Sequence, residues 1–139
     1  MELEAEGRAV EETIDQSSGT ILLAEDEDFI RKLTCRILEA RGYKVLMAAS
    51  GTEALEVATR NMDELDLLLT DVVMPGLGGA ELAVELRRSR PDLPVLYMSG
   101  YAFEALDLEE LGDGESYLPK PFTSDVLLKE IGRMLAKAG

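Results

Sequence analysis

The chain of 139 residues has no histidine, no tryptophan and a single cysteine, and it carries only 14 basic residues against 28 acidic ones. Each shortage removes a class of function. Without histidine there is no Ser-His or Cys-His nucleophile pair, no imidazole metal site and no phosphohistidine borne by the chain itself. Cys35 cannot form an internal disulfide, which agrees with a reducing compartment. No apolar run approaches the roughly 20 residues that span a bilayer, and the acidic start lacks the basic and apolar regions of a signal peptide. A cytoplasmic location with no membrane association in this segment is therefore expected. The net charge of -14 argues against direct nucleic-acid binding, because duplex affinity comes from Lys and Arg neutralising phosphates.

What is present suits one globular domain. Hydrophobic residues make up 46%, and a chain of this length buries roughly two thirds of the surface it exposes when unfolded. Residues 1–19 are polar, acidic and aperiodic and end in Ser17-Ser18-Gly19. They read as a disordered tail or linker, with residues 20–139 as the folded domain. The domain itself stays acidic, because six of the acids and only Arg8 precede Thr20.

From Thr20 onward, strand and helix patterns alternate. Apolar strands are predicted at 20–24, 44–48, 65–71, 94–98 and 116–118, too short for helices and apolar enough to be buried on both faces. Ile30, Leu33, Ile37 and Leu38 give a first helix its inward stripe, and Gly42 stops it. Ser50-Gly51-Thr52-Glu53 has the spacing of a capping box, in which Ser50 and Glu53 satisfy each other's backbone N–H groups. Leu82, Ala83 and Leu86 mark a third helix, with Pro91 and Pro94 at its exit. A short acidic helix follows at 103–111, and a last one, capped by Thr123 or Ser124, buries Leu127, Leu128, Ile131 and Leu135. Alternation of this kind indicates right-handed βαβ crossovers and a parallel sheet covered on both faces. The expected fold is α/β, a flavodoxin-like (βα)5 three-layer sandwich with strand order 2-1-3-4-5.

In such sheets ligands bind beyond the carboxyl ends of the strands, at the switch point between strands 1 and 3. Glu25 and Asp26 end strand 1, and Asp71 ends strand 3 before Pro75, Gly76, Gly78 and Gly79 break regular structure. Three carboxylates without a counter-charge raise one another's pKa, so a cation should join them. Oxygen-only ligation favours Mg2+ or Mn2+. Ser99 and Lys120 follow strands 4 and 5 at the same rim. A hydroxyl, an ammonium and a divalent ion around one carboxylate make a site for a phosphoryl group. Cys35, by contrast, reads as a small buried residue of the first helix.

With these residues in place, the chain from about Thr20 to Ala136 resembles the receiver domain of two-component response regulators. Glu25-Asp26 match the acidic pair, Asp71 in Thr-Asp-Val-Val-Met-Pro-Gly the phosphoacceptor, Ser99 the switch hydroxyl, Tyr117 the switch aromatic, and Lys120 in Leu-Pro-Lys-Pro-Phe the lysine. The resemblance implies phosphoryl transfer to Asp71 from a histidine kinase or histidine phosphotransfer protein. It also implies Mg2+ held by Asp26, Asp71 and the backbone carbonyl of Val73, with Glu25 acting through bound water. Ser99 and Tyr117 would move inward on phosphorylation and remodel the surface of the fourth helix, fifth strand and last helix, the face of a phosphorylation-dependent homodimer. Lys120-Pro121 would be cis.

Leu-Tyr-Met-Ser-Gly-Tyr and Tyr-Leu-Pro-Lys-Pro-Phe look most like receivers at the C-terminus of hybrid sensor histidine kinases, which would make the acidic tail an interdomain linker. A free-standing single-domain regulator would read similarly, and no DNA-binding module is expected after Gly139. Three departures from the family pattern stand out: Glu25 replaces the more usual Asp, the fourth helix is short and followed by Gly112-Asp113-Gly114, and Val73 and Tyr101 occupy positions that tune phosphoryl lifetime. Two other function classes fit the residues less well. A metal-dependent phosphohydrolase or nucleic-acid-processing domain needs a second Asp two residues after the first, where this chain has Val73. A phosphorylation-independent docking module would not need the intact Asp71, Ser99 and Lys120. If the Tyr101 ring shields the acyl phosphate, Tyr101→Ala loses its phosphoryl group faster than the parent protein in a timed intact-mass assay, and equal rates reject that role.

Overall fold

The computed structural model describes residues 18–100 and 111–138. The expected tail (1–17), Tyr101 and nearly all of the expected helix at 103–111 lie outside the described residues. Within them the chain runs β1 (Thr20–Ala24), α1 (Asp28–Arg41), β2 (Lys44–Ala48), α2 (Gly51–Asn61), a 3-10 turn (Met62–Glu64), β3 (Leu67–Asp71), α3 (Gly79–Ser89), β4 (Val95–Ser99), β5 (Glu115–Pro119) and α4 (Ser124–Ala138). The strands form one sheet in the order β2-β1-β3-β4-β5, and every neighbouring pair is parallel. The expected order is the observed one.

Strand side chains alternate across the sheet, and the alternation divides the core in two. Leu22, Ala24, Leu68, Val95 and Tyr97 face Ala54 and Ala58 of α2 and Leu82, Ala83 and Leu86 of α3. Ile21, Leu23, Leu67, Leu69, Leu96 and Met98 face Cys35 and Leu38 of α1 and Leu127, Ile131 and Met134 of α4. The continuous apolar runs seen in the sequence are what a sheet buried on both sides requires.

Helix ends follow local chemistry. Gly42 closes α1 at φ 110°, a conformation that side chains disfavour, with its N–H on the Glu39 carbonyl at 3.0 Å and the Tyr43 N–H on the Leu38 carbonyl at 3.2 Å. The Ser50 hydroxyl accepts from the Glu53 N–H at 3.0 Å, as the capping-box reading requires, but the Glu53 carboxylate takes the Ala49 N–H at 2.7 Å and not that of Ser50. The carboxylate reaches one residue further back, to the donor just past the end of β2. Thr123, not Ser124, caps α4, its hydroxyl accepting from the Val126 N–H at 3.2 Å.

One face differs from the reading of the periodicity. Leu33 is 45% exposed, and Thr34, Cys35 and Leu38 are the buried residues of α1. The inner face is turned toward Arg31, whose guanidinium is drawn back over the β1–α1 turn onto the Glu25 carbonyl at 2.9 Å. In α4 the buried stripe is Leu127, Ile131 and Met134, with Leu128 and Leu135 packed at its margin.

Two glycines, Gly79 after β3 and Gly51 at the start of α2, are packing requirements. A Cβ on Gly79 would stand 2.2 Å from the Asp71 carbonyl oxygen, so α3 can begin this close to the end of β3 only on glycine. Gly51 meets the Leu77 carbonyl at the same 2.2 Å, seating the β3–α3 loop on the start of α2. Gly132, exposed on α4, would meet nothing within 4 Å. Gly79→Ala should therefore cost about 3 kcal/mol through overpacking, whereas Gly132→Ala should gain up to about 1 kcal/mol from helix propensity. Thermal unfolding should show the first melting roughly 10 °C lower and the second a few degrees higher; equal melting of the two variants would contradict the close approach.

Candidate functional site

The sheet order brings the ends of β1 and β3 together. Ala24 pairs with Thr70, so the next residues, Glu25 and Asp71, leave the sheet side by side. On the other flank, Asp71 pairs with Met98 and Ser99 with Pro119, and the Lys120 N–H donates to the Ser99 carbonyl at 2.8 Å. Lys120 thus leaves β5 fastened to the last residue of β4. The Lys120-Pro121 peptide is cis, as the family resemblance implied.

Glu25, Asp26 and Asp71 each offer a carboxylate oxygen, and the three atoms lie within 4.8 Å of one another. Glu25 is fully buried, the Asp71 side chain is 13% exposed, and Asp26 faces solvent. Lys120 Nζ lies 2.9 Å from Glu25 Oε1 and 3.4 Å from Asp71 Oδ2, and Glu25 Oε2 accepts the Glu27 N–H at 3.0 Å. One ammonium therefore faces three acids, and the pKa shifts record the imbalance. Asp71 is pushed up to about 6, first by burial and then by the Glu25 charge, with Lys120 pulling the other way and Asp26 adding a smaller push. Burial works against the Lys120 charge, but its hydrogen bond to Glu25 and the charges of Asp71 and Glu25 outweigh burial and raise its pKa. The pocket favours an added cation, and its donors are all oxygens. That fits a hard divalent ion that keeps part of its water shell.

Three of the other expected residues, Ser99, Tyr117 and Val73, are among those described. Ser99 is 2% exposed at the end of β4. Tyr117 lies on β5 opposite Tyr97 and packs against the cluster shared by α2 and α3. Val73 is 57% exposed on the loop beyond Asp71, between the buried Val72 and Met74, and the Val72 carbonyl accepts the Gly79 N–H at 2.9 Å. Tyr101 lies outside the described residues.

Two features were not read from the sequence. The first is the direct Glu25–Lys120 contact, made across a separation of 95 residues. The second is Arg31, which passes in a sequence for a surface charge between Ile30 and Leu33. The available signal was its position: helix side chains lean toward the N-terminus, so a long one in the first turn covers the preceding loop.

Fold and rim together define a class: a doubly wound α/β domain whose loops gather a cluster of carboxylates that could hold a cation, and one lysine, around a strand-end aspartate. The sequence profile of the response regulator receiver domain matches residues 21–132, and the chain belongs to that family. It is 42% identical over 135 residues to the sensor kinase CckA of Brucella abortus, a match covering 96% of this chain and 14% of that protein. The response regulator receiver protein CpdR of the same organism is 38% identical over 120 residues, covering 85% of this chain and 98% of CpdR. Among solved structures, the receiver domain of a hybrid histidine kinase CckA superposes with a TM-score of 0.74 at 40% identity, covering 84% of this chain and 99% of that one. The chain thus spans about a seventh of the curated kinase and nearly all of CpdR. No helix among the described residues is long and apolar enough to cross a membrane.

A folded-state pKa of about 6 for Asp71, above its ordinary 3.8, means that the ionised carboxylate opposes folding above pH 6. The penalty fades as pH falls and vanishes below about 4, where Asp71 is protonated in both states. In metal-free buffer Asp71→Asn should be more stable than the parent at pH 8 by roughly 1–2 kcal/mol, discounted for partial solvent access, and should show no gain at pH 4. Paired thermal melts at the two pH values check the sign, and a variant less stable at pH 8 would contradict it.

Proposed function

We propose that this receiver domain accepts a phosphoryl group on Asp71 from the phosphohistidine of a histidine kinase or histidine phosphotransfer protein. The observation that carries the reading is the position of Asp71, partly buried between two further carboxylates and within reach of Lys120. An Asp71 carboxylate oxygen attacks phosphorus, the P–N bond of the donor breaks, and the imidazole leaves with the bonding pair and gains a proton. The product is an acyl phosphate on Asp71. Lys120, already 3.4 Å from the acceptor carboxylate, neutralises charge on the transferring group, and Ser99 donates a hydrogen bond to a phosphoryl oxygen.

Asp26, Asp71 and the backbone carbonyl of Val73 are the groups assigned to Mg2+, with Mn2+ as a substitute and Glu25 contributing through bound water. When bound, the ion would offset the negative charge that builds up as phosphate approaches three acids. Ser99 and Tyr117 are assigned the switch, moving inward and altering the face of β5, α4 and the segment at 103–111, where a phosphorylation-dependent homodimer would form. Val73 and Tyr101 are assigned to phosphoryl lifetime. The similarity to CckA favours a place as a receiver of a hybrid sensor kinase, and the similarity to CpdR keeps a single-domain regulator as the alternative. A cytoplasmic location follows from either.

Incubation with acetyl phosphate and Mg2+ should give one phosphoryl adduct by intact mass, absent in EDTA and absent in Asp71→Asn. Continuous turnover of a phosphoester with no trapped adduct would point to a phosphohydrolase, and no adduct under any condition to a docking module.

A further inference from the structure

Asp26 is the least supported member of the acidic cluster. It is exposed, and no hydrogen bond or ion pair to its side chain is found among the described residues, whereas Glu25 and Asp71 both meet Lys120. A metal ligand must nonetheless be held within about half an ångström of its productive position. Something other than its own side chain has to aim it.

The candidate is Arg31. Its side chain is only 13% exposed, and its Nη1 donates to the Glu25 carbonyl at 2.9 Å. That carbonyl belongs to the peptide joining Glu25 to Asp26, so the bond fixes the tilt of the peptide plane from which the Asp26 side chain departs. The second guanidinium nitrogen is braced by Asp28, the first residue of α1. On the other side of Asp26, the Glu25 carboxylate takes the Glu27 N–H at 3.0 Å. Asp26 is therefore the unsupported middle of a turn clamped at both ends, and one clamp is Arg31.

We propose that Arg31 is a positioning residue for the divalent cation, holding the Glu25-Asp26 peptide so that the Asp26 carboxylate points at the ion. This rests on the reading of the acidic cluster as a metal site. Charge and geometry predict opposite outcomes here. Arg31 carries a positive charge close to a site for a dication, so if its only influence were Coulombic, removing it would tighten metal binding. If it aims Asp26, removing it weakens binding, as the loss of groups that orient metal ligands does, by roughly tenfold or more.

Lys32 supplies the control. It lies beside Arg31 on α1 and pairs with Asp28 at 3.1 Å, with no bond to the β1–α1 turn. Mn2+ titrated into the protein, with the free ion counted by its EPR signal, gives the dissociation constant for the parent, Arg31→Gln, Lys32→Gln and Arg31→Lys, each first shown folded by circular dichroism. The expected result is a dissociation constant about tenfold higher for Arg31→Gln, unchanged or lower for Lys32→Gln, and intermediate for Arg31→Lys, whose single ammonium keeps the charge and one donor. Should Arg31→Gln fail to fold, the Arg31→Lys shift alone decides. Binding by the Arg31 variants as tight as or tighter than the parent overturns the proposal while leaving the metal site standing, whereas a parent that binds no Mn2+ overturns the metal site itself.

Discussion

The structure turns on a deliberate shortage of positive charge. Glu25, Asp26 and Asp71 crowd their oxygens within 4.8 Å, and among the described residues the one ammonium in contact with them is that of Lys120. Gathering like charges beside the low dielectric of a packed sheet costs folding free energy, and the raised pKa of Asp71 is the visible sign of that cost. A stability-optimised domain would have dispersed these acids. Keeping them together makes sense for a site that could hold a cation, because a bound dication would relieve the repulsion left among the acids.

Much of the remaining architecture keeps that cluster from relaxing apart. The acids sit at the ends of β1 and β3, neighbours only because the sheet order reverses between them. Lys120 is fixed through its own N–H to the Ser99 carbonyl, so the lysine and the buried hydroxyl residue are parts of one hydrogen-bonded corner. Gly79 lets α3 press against the Asp71 backbone, and Gly51 lets the intervening loop rest on α2. Behind them, two cores on opposite faces of the sheet hold the strands in place. Asp71 therefore lies on a rim whose loops are tethered from several directions, and the Lys120–Ser99 bond ties that rim to β4 and β5.

Glu25 shows how a one-methylene difference is used. Its longer side chain, wholly buried, places one oxygen on Lys120 and the other on the Glu27 N–H. Both carboxylate oxygens therefore have protein partners, which makes Glu25 an organiser of the lysine and of the turn. The buried pair is poor evidence for added stability, since desolvation offsets much of its attraction. Its use is to specify where Lys120 points.

The sequence by itself determined the alternation of strands and helices and the strand-end position of Glu25, Asp26 and Asp71, because the period of apolar residues and the placement of glycine and proline are local signals. The strand order was expected from the general rule for five-stranded doubly wound sheets and is the order observed. Strand ends were legible to within two residues, the carboxylates were found by their position after apolar runs, and Gly42 was recognised as a stop because few residues other than glycine tolerate its conformation. Only the tertiary structure decided what depends on two distant segments meeting: that Lys120 bonds Glu25 more closely than Asp71, that α1 turns Arg31 inward and leaves Leu33 outside, and that Glu53 reaches Ala49. The reason is physical. Periodicity fixes which residues share a face, but the rotation of that face and the partner of each buried charge are set by desolvation and reach across the fold, and neither quantity is written in neighbouring residues.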